Sequence, residues 1–134
     1  MVGGTRGGIQ MADMSAPRIR VKELLHVNVE VTDLNRSLVF YRHFGLEEIP
    51  RAGTPGPSGA WFRFPDGKQL HVSVGPPKPA SRAHLAILVA DLDAARTVLE
   101  AAGAVFETER DIPGVRRFFT RDPDGNRLEV VQYI

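Results

Sequence analysis

Apolar and polar residues alternate along two stretches of the chain, in which His26 and His84 occupy places 58 residues apart. In residues 24–31, valines alternate with polar residues that include His26. In residues 84–90, leucine, isoleucine and valine occupy every second position after His84. A period of two residues is typical of a β-strand with one face packed on apolar partners. Both stretches are therefore predicted to be strands whose polar faces point away from the core.

A helical pattern follows each of these two strands. Thr32 or Asp33 is placed to cap the first helix and Asp91 the second, because their side chains can accept from the first free backbone N–H groups. Gly45 and Gly103 are placed to end the helices in a left-handed conformation. The apolar residues expected to face the core are Leu34, Leu38 and Tyr41 in the first helix and Leu92, Ala95, Leu99 and Ala102 in the second.

Three short strands are predicted after each helix, and the last two of each set form a hairpin. They comprise residues 46–49, 60–64 and 69–74 in the first half, and 104–110, 115–121 and 126–133 in the second. A Pro-Asp-Gly turn joins the last two strands in both halves. We therefore predict an α+β fold of two tandem βαβββ repeats that form a cupped mixed sheet.

A direct comparison shows that the chain is a tandem repeat without gaps. Residues 26–74 and 84–132 are identical at 13 of 49 positions, and the identities lie at caps, turns and apolar strand faces. We place repeat one at 22–75, a linker at 76–81 and repeat two at 82–134. Residues 1–20, rich in Gly, Arg and Met, are expected to be a disordered tail before a single domain, 21–134.

Four polar residues occupy equivalent places in the two repeats. His26 and His84 open the first strands, and His71 and Glu129 lie on the last strands. All four lie opposite the apolar row of their strand, so the pseudo-twofold relation is expected to bring the two pairs together. Three imidazoles and a carboxylate suit a divalent ion such as Zn, Ni, Co, Mn or Fe.

Composition removes several other classes of function. The chain has 134 residues, a net charge of +1 and no cysteine, so a site for metal must use nitrogen and oxygen donors. The small net charge and the short Arg116-Arg117 run do not indicate nucleic-acid binding. No apolar run is long enough to span a membrane, and residues 1–20 lack the apolar core of a signal peptide. We expect a cytoplasmic protein.

Other polar residues are assigned to structural positions. Asp66 and Asp124 fit their turns better than a catalytic role. His43, the fourth histidine, has alanine at its repeat equivalent and lies near the end of a helix, where a positive charge is favourable. Asn28 and Glu30 share the strand face of His26 and are candidates to line a substrate pocket. Trp61, Arg117, Phe119 and Tyr133 are further candidates, whose facing depends on the register of the hairpins.

Three motifs together resemble the vicinal oxygen chelate superfamily, which includes glyoxalase I, extradiol dioxygenases and fosfomycin- and bleomycin-resistance proteins. They are His26 with Val-Thr-Asp-Leu and Phe-Tyr-Arg-His-Phe-Gly-Leu, His84 with Val-Ala-Asp-Leu, and Asp-Pro-Asp-Gly-Asn-Arg-Leu-Glu129. The resemblance covers about residues 22–134. It implies a metal site at His26, His71, His84 and Glu129, often across a homodimer interface. Glyoxalase I has glutamate where His71 stands, and epimerases of the family have glutamine.

The favoured interpretation is a metal-dependent enzyme that acts on a small oxygen-rich substrate by lyase, isomerase or dioxygenase chemistry. A bound ion would hold one or two substrate oxygens and stabilise a developing oxyanion or enediolate. Glu129 would be both a ligand and a proton shuttle. The alternative is a metal-independent drug-binding protein of the bleomycin-resistance type, in which the four polar residues are incidental. A third interpretation is a metal-binding fold without catalysis.

Overall fold

The first half of the protein folds as a strand, a helix and three further strands. The structure, a computed structural model, describes residues 16–53 and 56–134. Its elements in this half are β1 (His26–Val31), α1 (Leu34–Arg42), β2 (Glu47–Ile49), β3 (Gly59–Arg63) and β4 (Gln69–Val74). The strands form a sheet in the order β1-β4-β3-β2, with β1 parallel to β4 and the other pairs antiparallel.

The second half repeats this arrangement. Its elements are β5 (His84–Leu88), α2 (Leu92–Ala101), β6 (Val105–Glu107), β7 (Val115–Arg121) and β8 (Arg127–Tyr133). The sheet order is β5-β8-β7-β6, and β5 is parallel to β8. The predicted α+β fold of two βαβββ units is therefore confirmed. The strands form two four-stranded mixed sheets, and each of β1 and β5 has one strand partner among the described residues.

An aspartate caps the start of each helix: Asp33, one of the two residues proposed for α1, and Asp91, as predicted for α2. The side chain of Asp33 accepts a hydrogen bond from the backbone N–H of Arg36 at 3.1 Å, and Asp91 accepts from that of Ala94 at 3.0 Å. These bonds satisfy donors that the first helical turn leaves free. Gly45 has a positive φ of 69° shortly after α1, as the sequence predicted.

One hydrophobic core joins the two halves. It includes Tyr41, Phe62 and Leu70 from the first half and Leu99 and Leu128 from the second. Leu34, Leu38 and Ala95 pack against it while partly buried, as predicted. The prediction for Ala102 was wrong. That residue is exposed, because α2 ends at Ala101 and position 102 forms the cap beyond the last core-facing turn.

The turn formed by residues 122–126 in the second half makes hydrogen bonds to the first half. Asp122 is buried, and its Oδ1 accepts the backbone N–H groups of Asp124 and Asn126 at 2.9 and 2.8 Å. Its Oδ2 accepts the hydroxyl of Tyr41, on α1, at 2.7 Å. Burial and the neighbouring Asp122 raise the pKa of the Tyr41 hydroxyl well above its ordinary value, so the phenol remains a donor.

Asp124 makes a second link between the halves. It accepts hydrogen bonds from the backbone N–H and the hydroxyl of Thr32, at 3.1 and 2.7 Å, and pairs with Arg36 at 3.2 Å. Burial opposes ionisation, but the bonds from Thr32 and the charge of Arg36 outweigh it and lower the pKa of Asp124. The carboxylate is therefore charged at neutral pH. The sequence interpretation gave Asp124 only a turn role, and the structure adds this link.

The segment before β1 has little regular structure where it is described. Residues 16–25 contain no helix or strand. The expected tail, residues 1–20, falls mostly outside the described part of the chain. Within residues 16–53 and 56–134, no helix is long and apolar enough to cross a membrane.

The two repeat-equivalent aspartates are predicted to differ in their contribution to stability. Asp124→Ala removes the bonds to Thr32 and is expected to lower the free energy of unfolding by about 1–3 kcal/mol. Asp66 bonds to Lys68 within an exposed turn, so Asp66→Ala is expected to leave the free energy of unfolding nearly unchanged. Urea unfolding of both variants at pH 7 measures the difference. Equal losses would show that Asp124 does not join the halves.

Candidate metal centre

The first pair of candidate ligands, His26 and His71, forms part of a stack of three rings. Their ring centroids are 4.0 Å apart, and the planes differ by 16°. The indole of Trp61 stacks on the other face of His71 at 4.0 Å and 2°. The stack arises because β1 and β3 flank β4 in the sheet, and Trp61 and His71 are direct register partners. His71 is thus fixed between two rings.

The environment of His71 favours its neutral form. Burial, and then the proximity of His26 and Arg51, lower its pKa from the ordinary 6.5. Its Nε2 lies 2.8 Å from the side-chain oxygen of Gln69, which can only accept. Nε2 therefore holds the proton, and Nδ1 has the free lone pair.

The stacked arrangement does not allow His26 and His71 to bind one ion together. An imidazole binds metal in its ring plane, at about 2.0–2.1 Å from the nitrogen. Two nearly parallel planes at this separation do not meet at a common point within bonding distance of both rings. One of the two rings must rotate out of the stack before both nitrogens can face the same ion.

The second pair, His84 and Glu129, is arranged as two neighbouring donors. His84 Nε2 lies 3.1 Å from Glu129 Oε1, and His84 Nδ1 lies 3.0 Å from the backbone carbonyl of Arg82. A carbonyl only accepts, so Nδ1 must donate its proton to Arg82. A proton or a cation is then required between Nε2 and the carboxylate oxygen, because both are acceptors. Fixing the far ring nitrogen in this way is typical of metal-binding histidines.

The spacing of this pair fits a divalent ion. If two ligand atoms each lie about 2.1 Å from an ion and the ligand–ion–ligand angle is a right angle, the two atoms lie about 3 Å apart. The observed 3.1 Å between His84 Nε2 and Glu129 Oε1 agrees with that distance. The side chain of Glu129 is 13% exposed, so it is mostly buried but remains accessible to solvent.

Arg117 and Phe119 surround the second pair. Arg117 Nη1 donates to Glu129 Oε2 at 3.0 Å, and its Nη2 donates to the carbonyl of Arg110 at 2.8 Å. Phe119 is buried, and its ring meets His84 edge-on at 5.3 Å. The sequence proposed both residues for a pocket, and the structure places them beside the candidate donors.

The two donor pairs do not come together within one chain. Among the described residues, no group of three or more histidine, aspartate or glutamate side chains could hold a metal ion. The sequence left open whether the pairs meet within one chain or across a dimer interface, and among the described residues of one chain they stay apart. The reason is that the halves dock through α1 and the Asp122–Asn126 turn, and the two sheets remain separate.

The remaining candidates for the substrate pocket lie in different parts of the structure. Asn28 bonds to Ser73 across β1 and β4 at 3.0 Å. Asn28 and Glu30 line a cavity of about 450 Å³ between β1 and β5, together with His84. Trp61 lies in the ring stack, whereas Tyr133 is 67% exposed at the end of β8. His43 forms the C-terminal cap of α1, in agreement with its structural assignment.

The sequence interpretation missed three residues beside the donors. Gln69 and Arg127 lie two positions before His71 and Glu129, so strand alternation alone could have placed them on the same face. Arg127 stacks over Phe119 at 3.8 Å and pairs with Glu107 at 2.8 Å. Arg51, which lowers the pKa of His71, comes from a loop, and no periodic signal indicates its position.

Comparison with known proteins agrees with this fold. Residues 23–130 match the family model described as the Glyoxalase/Bleomycin resistance protein/Dioxygenase superfamily. A protein from Bacillus anthracis described as glyoxalase family is 30% identical, with a TM-score of 0.75 over 87% of this chain and 99% of the other. The search of curated proteins finds no match.

Two other solved structures share the fold at lower identity. A mutant of the fosfomycin resistance protein FosX from Listeria monocytogenes, complexed with Mn(II) and 1S,2S-dihydroxypropylphosphonic acid, is 23% identical. Its TM-score is 0.74 over 86% of this chain and 95% of the other. A glyoxylase/bleomycin resistance protein/dioxygenase domain from Frankia sp. EAN1pec is 23% identical, with a TM-score of 0.68 over 86% and 100%.

The stack makes Trp61 a reporter of the charge on His71. It is the single tryptophan of the chain, and an imidazolium in contact with an indole quenches its fluorescence. In the presence of chelator, the emission is expected to fall as the pH drops below 6.5, because the pKa of His71 is lowered from that value. His71→Gln should abolish this step. A step that persists in His71→Gln would show that another group is responsible.

Proposed function

This chain belongs to the Glyoxalase/Bleomycin resistance protein/Dioxygenase superfamily, and on that premise we propose that it is a divalent-metal-dependent enzyme acting on a small oxygen-rich substrate. The observation that supports the proposal most is the His84–Glu129 pair. Its two acceptors lie 3.1 Å apart, and the far nitrogen of His84 is occupied by Arg82. That arrangement is suited to a shared cation.

We propose that the centre is completed by a second copy of the chain. His84 and Glu129 supply two donors from one copy, and His26 supplies a third from the other. His71 adds a further nitrogen when it or His26 rotates out of the stack. Two imidazoles and a carboxylate suit Zn, Ni, Co, Mn or Fe. The presence of Mn(II) in the FosX complex supports this choice of ions.

The proposed homodimer follows from the separation of the two donor pairs. Within the described residues one chain holds no complete donor set, and β1 and β5 each have a free side as strands. Cyclic dimers use the same surface on both copies, so a His26 that meets the second copy's His84 generates two equal sites. Each dimer is therefore expected to hold two ions.

A divalent ion bound at this centre would polarise a substrate oxygen as a Lewis acid. The chain's own residues orient the substrate and handle protons. Glu129 Oε1, which is partly sheltered and beside His84, would exchange a proton with a substrate atom when it is released from the ion, since Oε2 is bonded to Arg117. The buried ring of Phe119 supports His84 edge-on, and Asn28 and Glu30 offer polar contacts from β1.

A second candidate function is metal-independent binding of a drug-like molecule. The observation in its favour is the stack of Trp61, His71 and His26, whose outer face could receive a flat aromatic ligand. A protein of this kind would show no metal uptake but a raised melting temperature with planar ligands. A thermal-shift screen separates it from the enzyme.

Metal content is the first test of the enzyme proposal. Wild-type protein purified without chelator or affinity-column metal is expected to contain about one transition-metal ion per chain. His84→Ala should lose it, whereas His43→Ala should retain it because His43 lies at a helix cap. Elemental analysis of the three proteins measures this directly. Absence of metal in the wild type, with no uptake of added Zn, Ni, Mn or Fe, would reject the proposal.

A mixing experiment tests whether the centre spans two copies. His26→Ala and His84→Ala are each expected to bind no metal alone. After denaturation together and refolding, half of the dimers are mixed, and each mixed dimer has one intact site. About one quarter of the wild-type capacity should therefore return. No recovery, in a mixture that sedimentation shows to be dimeric, would place the donors within one chain.

A further inference from the structure

We propose that Arg117 is a positioning residue that keeps Glu129 Oε2 occupied, so that only Oε1 is offered to the metal centre beside His84. This inference rests on the metal-dependent function proposed above. It assigns a role to Arg117, the charged neighbour of Glu129. Arg117 is not a metal ligand and does not belong to the hydrophobic core. Arg117 acts through Glu129 and has no contact with the reacting atoms.

The guanidinium of Arg117 is held at two ends. One Nη donates to Glu129 Oε2 at 3.0 Å and the other to the carbonyl of Arg110 at 2.8 Å. Both partners of the ion pair have side chains 13% exposed, so solvent competes weakly for either charge. The planar fork of arginine can span two acceptors in fixed directions, which an ammonium cannot do.

The aromatic ring of Phe119 also helps to orient the guanidinium of Arg117. Its guanidinium carbon lies 5.1 Å from the centre of the Phe119 ring, within the range of a cation–π contact. Its Nε is buried without a hydrogen-bond partner in the described part of the molecule. A buried donor without a partner is uncommon and costs free energy, so other contacts must outweigh that cost. The two Nη bonds and the aromatic contact are those contacts.

The two repeats provide an internal comparison. The repeat equivalent of Arg117 is Gly59, and the equivalent of Glu129 is His71. The repeat that has a carboxylate on its last strand therefore has an arginine on the preceding strand, and the repeat that has a histidine there has no side chain. Both residues occupy matching register positions, opposite Val131 and Ser73 respectively. The arginine accompanies the carboxylate, as a carboxylate-positioning role requires.

The ion pair has a defined consequence for coordination. A free carboxylate can bind an ion through both oxygens, which uses two coordination places. With Oε2 held by Arg117 and Oε1 directed at His84, Glu129 provides one oxygen only. More places then remain open for substrate oxygens, which a catalytic metal requires.

The test uses Co(II) alone as the probe, with full-length dimeric protein. The visible absorption of Co(II) reports the number and arrangement of its ligands. Arg117→Met is expected to weaken the visible bands, because the second oxygen of Glu129 adds a ligand. The dissociation constant for Co(II) should nevertheless rise roughly tenfold or more, because a carboxylate that Arg117 no longer orients loses more rotamer freedom on binding than the added oxygen returns. Arg116→Met is the matched control, because Arg116 pairs with exposed Asp93 on the opposite face of β7.

The outcomes separate this inference from the proposed function. If the wild type binds no Co(II), the metal centre itself is rejected. If the wild type binds Co(II) and Arg117→Met keeps its spectrum and affinity, the positioning role is overturned and the centre stands. Tighter binding in Arg117→Met would also overturn it, since the arginine would then only compete with metal for Glu129.

A second variant decides the case in which Arg117→Met does not fold. Arg117→Lys retains the charge and most of the stem but cannot reach both Glu129 and the carbonyl of Arg110. It is expected to show an altered Co(II) spectrum and an affinity between those of the wild type and the methionine variant. A wild-type spectrum and affinity in Arg117→Lys would overturn the proposal.

Discussion

The relation between the two halves of this protein depends on two carboxylates of a single turn. Asp122 binds the hydroxyl of Tyr41 inside the shared core, and Asp124 binds the backbone and hydroxyl of Thr32 at the start of α1. Because both acceptors are sheltered and their donors belong to the other half, the halves have one favourable orientation. That orientation leaves the His84–Glu129 pair apart from the His26–His71 pair.

The two half-sites differ in chemistry although their backbones are alike. The first half presents three stacked rings with a neutral His71, whereas the second presents a charged network around Glu129. The rings offer nitrogen donors and an aromatic face, and the network offers an oriented carboxylate. A centre that combines both can bind an ion with few protein ligands, which leaves room for a substrate.

Much of this could be predicted from the sequence because the repeat is so regular. Strand alternation and the shared turn placed each candidate donor opposite the apolar row of its strand, and residue type predicted caps at Asp91 and at Thr32 or Asp33. The docking of the halves could not be predicted, since Asp66 and Asp124 are identical residues in identical turns. Their difference arises from Thr32, which is 92 residues from Asp124 and shares no local pattern with it.

Gly59 prevents the first half from having a side chain equivalent to Arg117. A Cβ atom at this position would lie 2.5 Å from the backbone carbonyl oxygen of Val72, so any side chain would have to displace the neighbouring strand. The first half therefore cannot gain an equivalent of Arg117 by one substitution. The asymmetry between the two halves is therefore built into the backbone spacing of β3 and β4 as well as into the side chains.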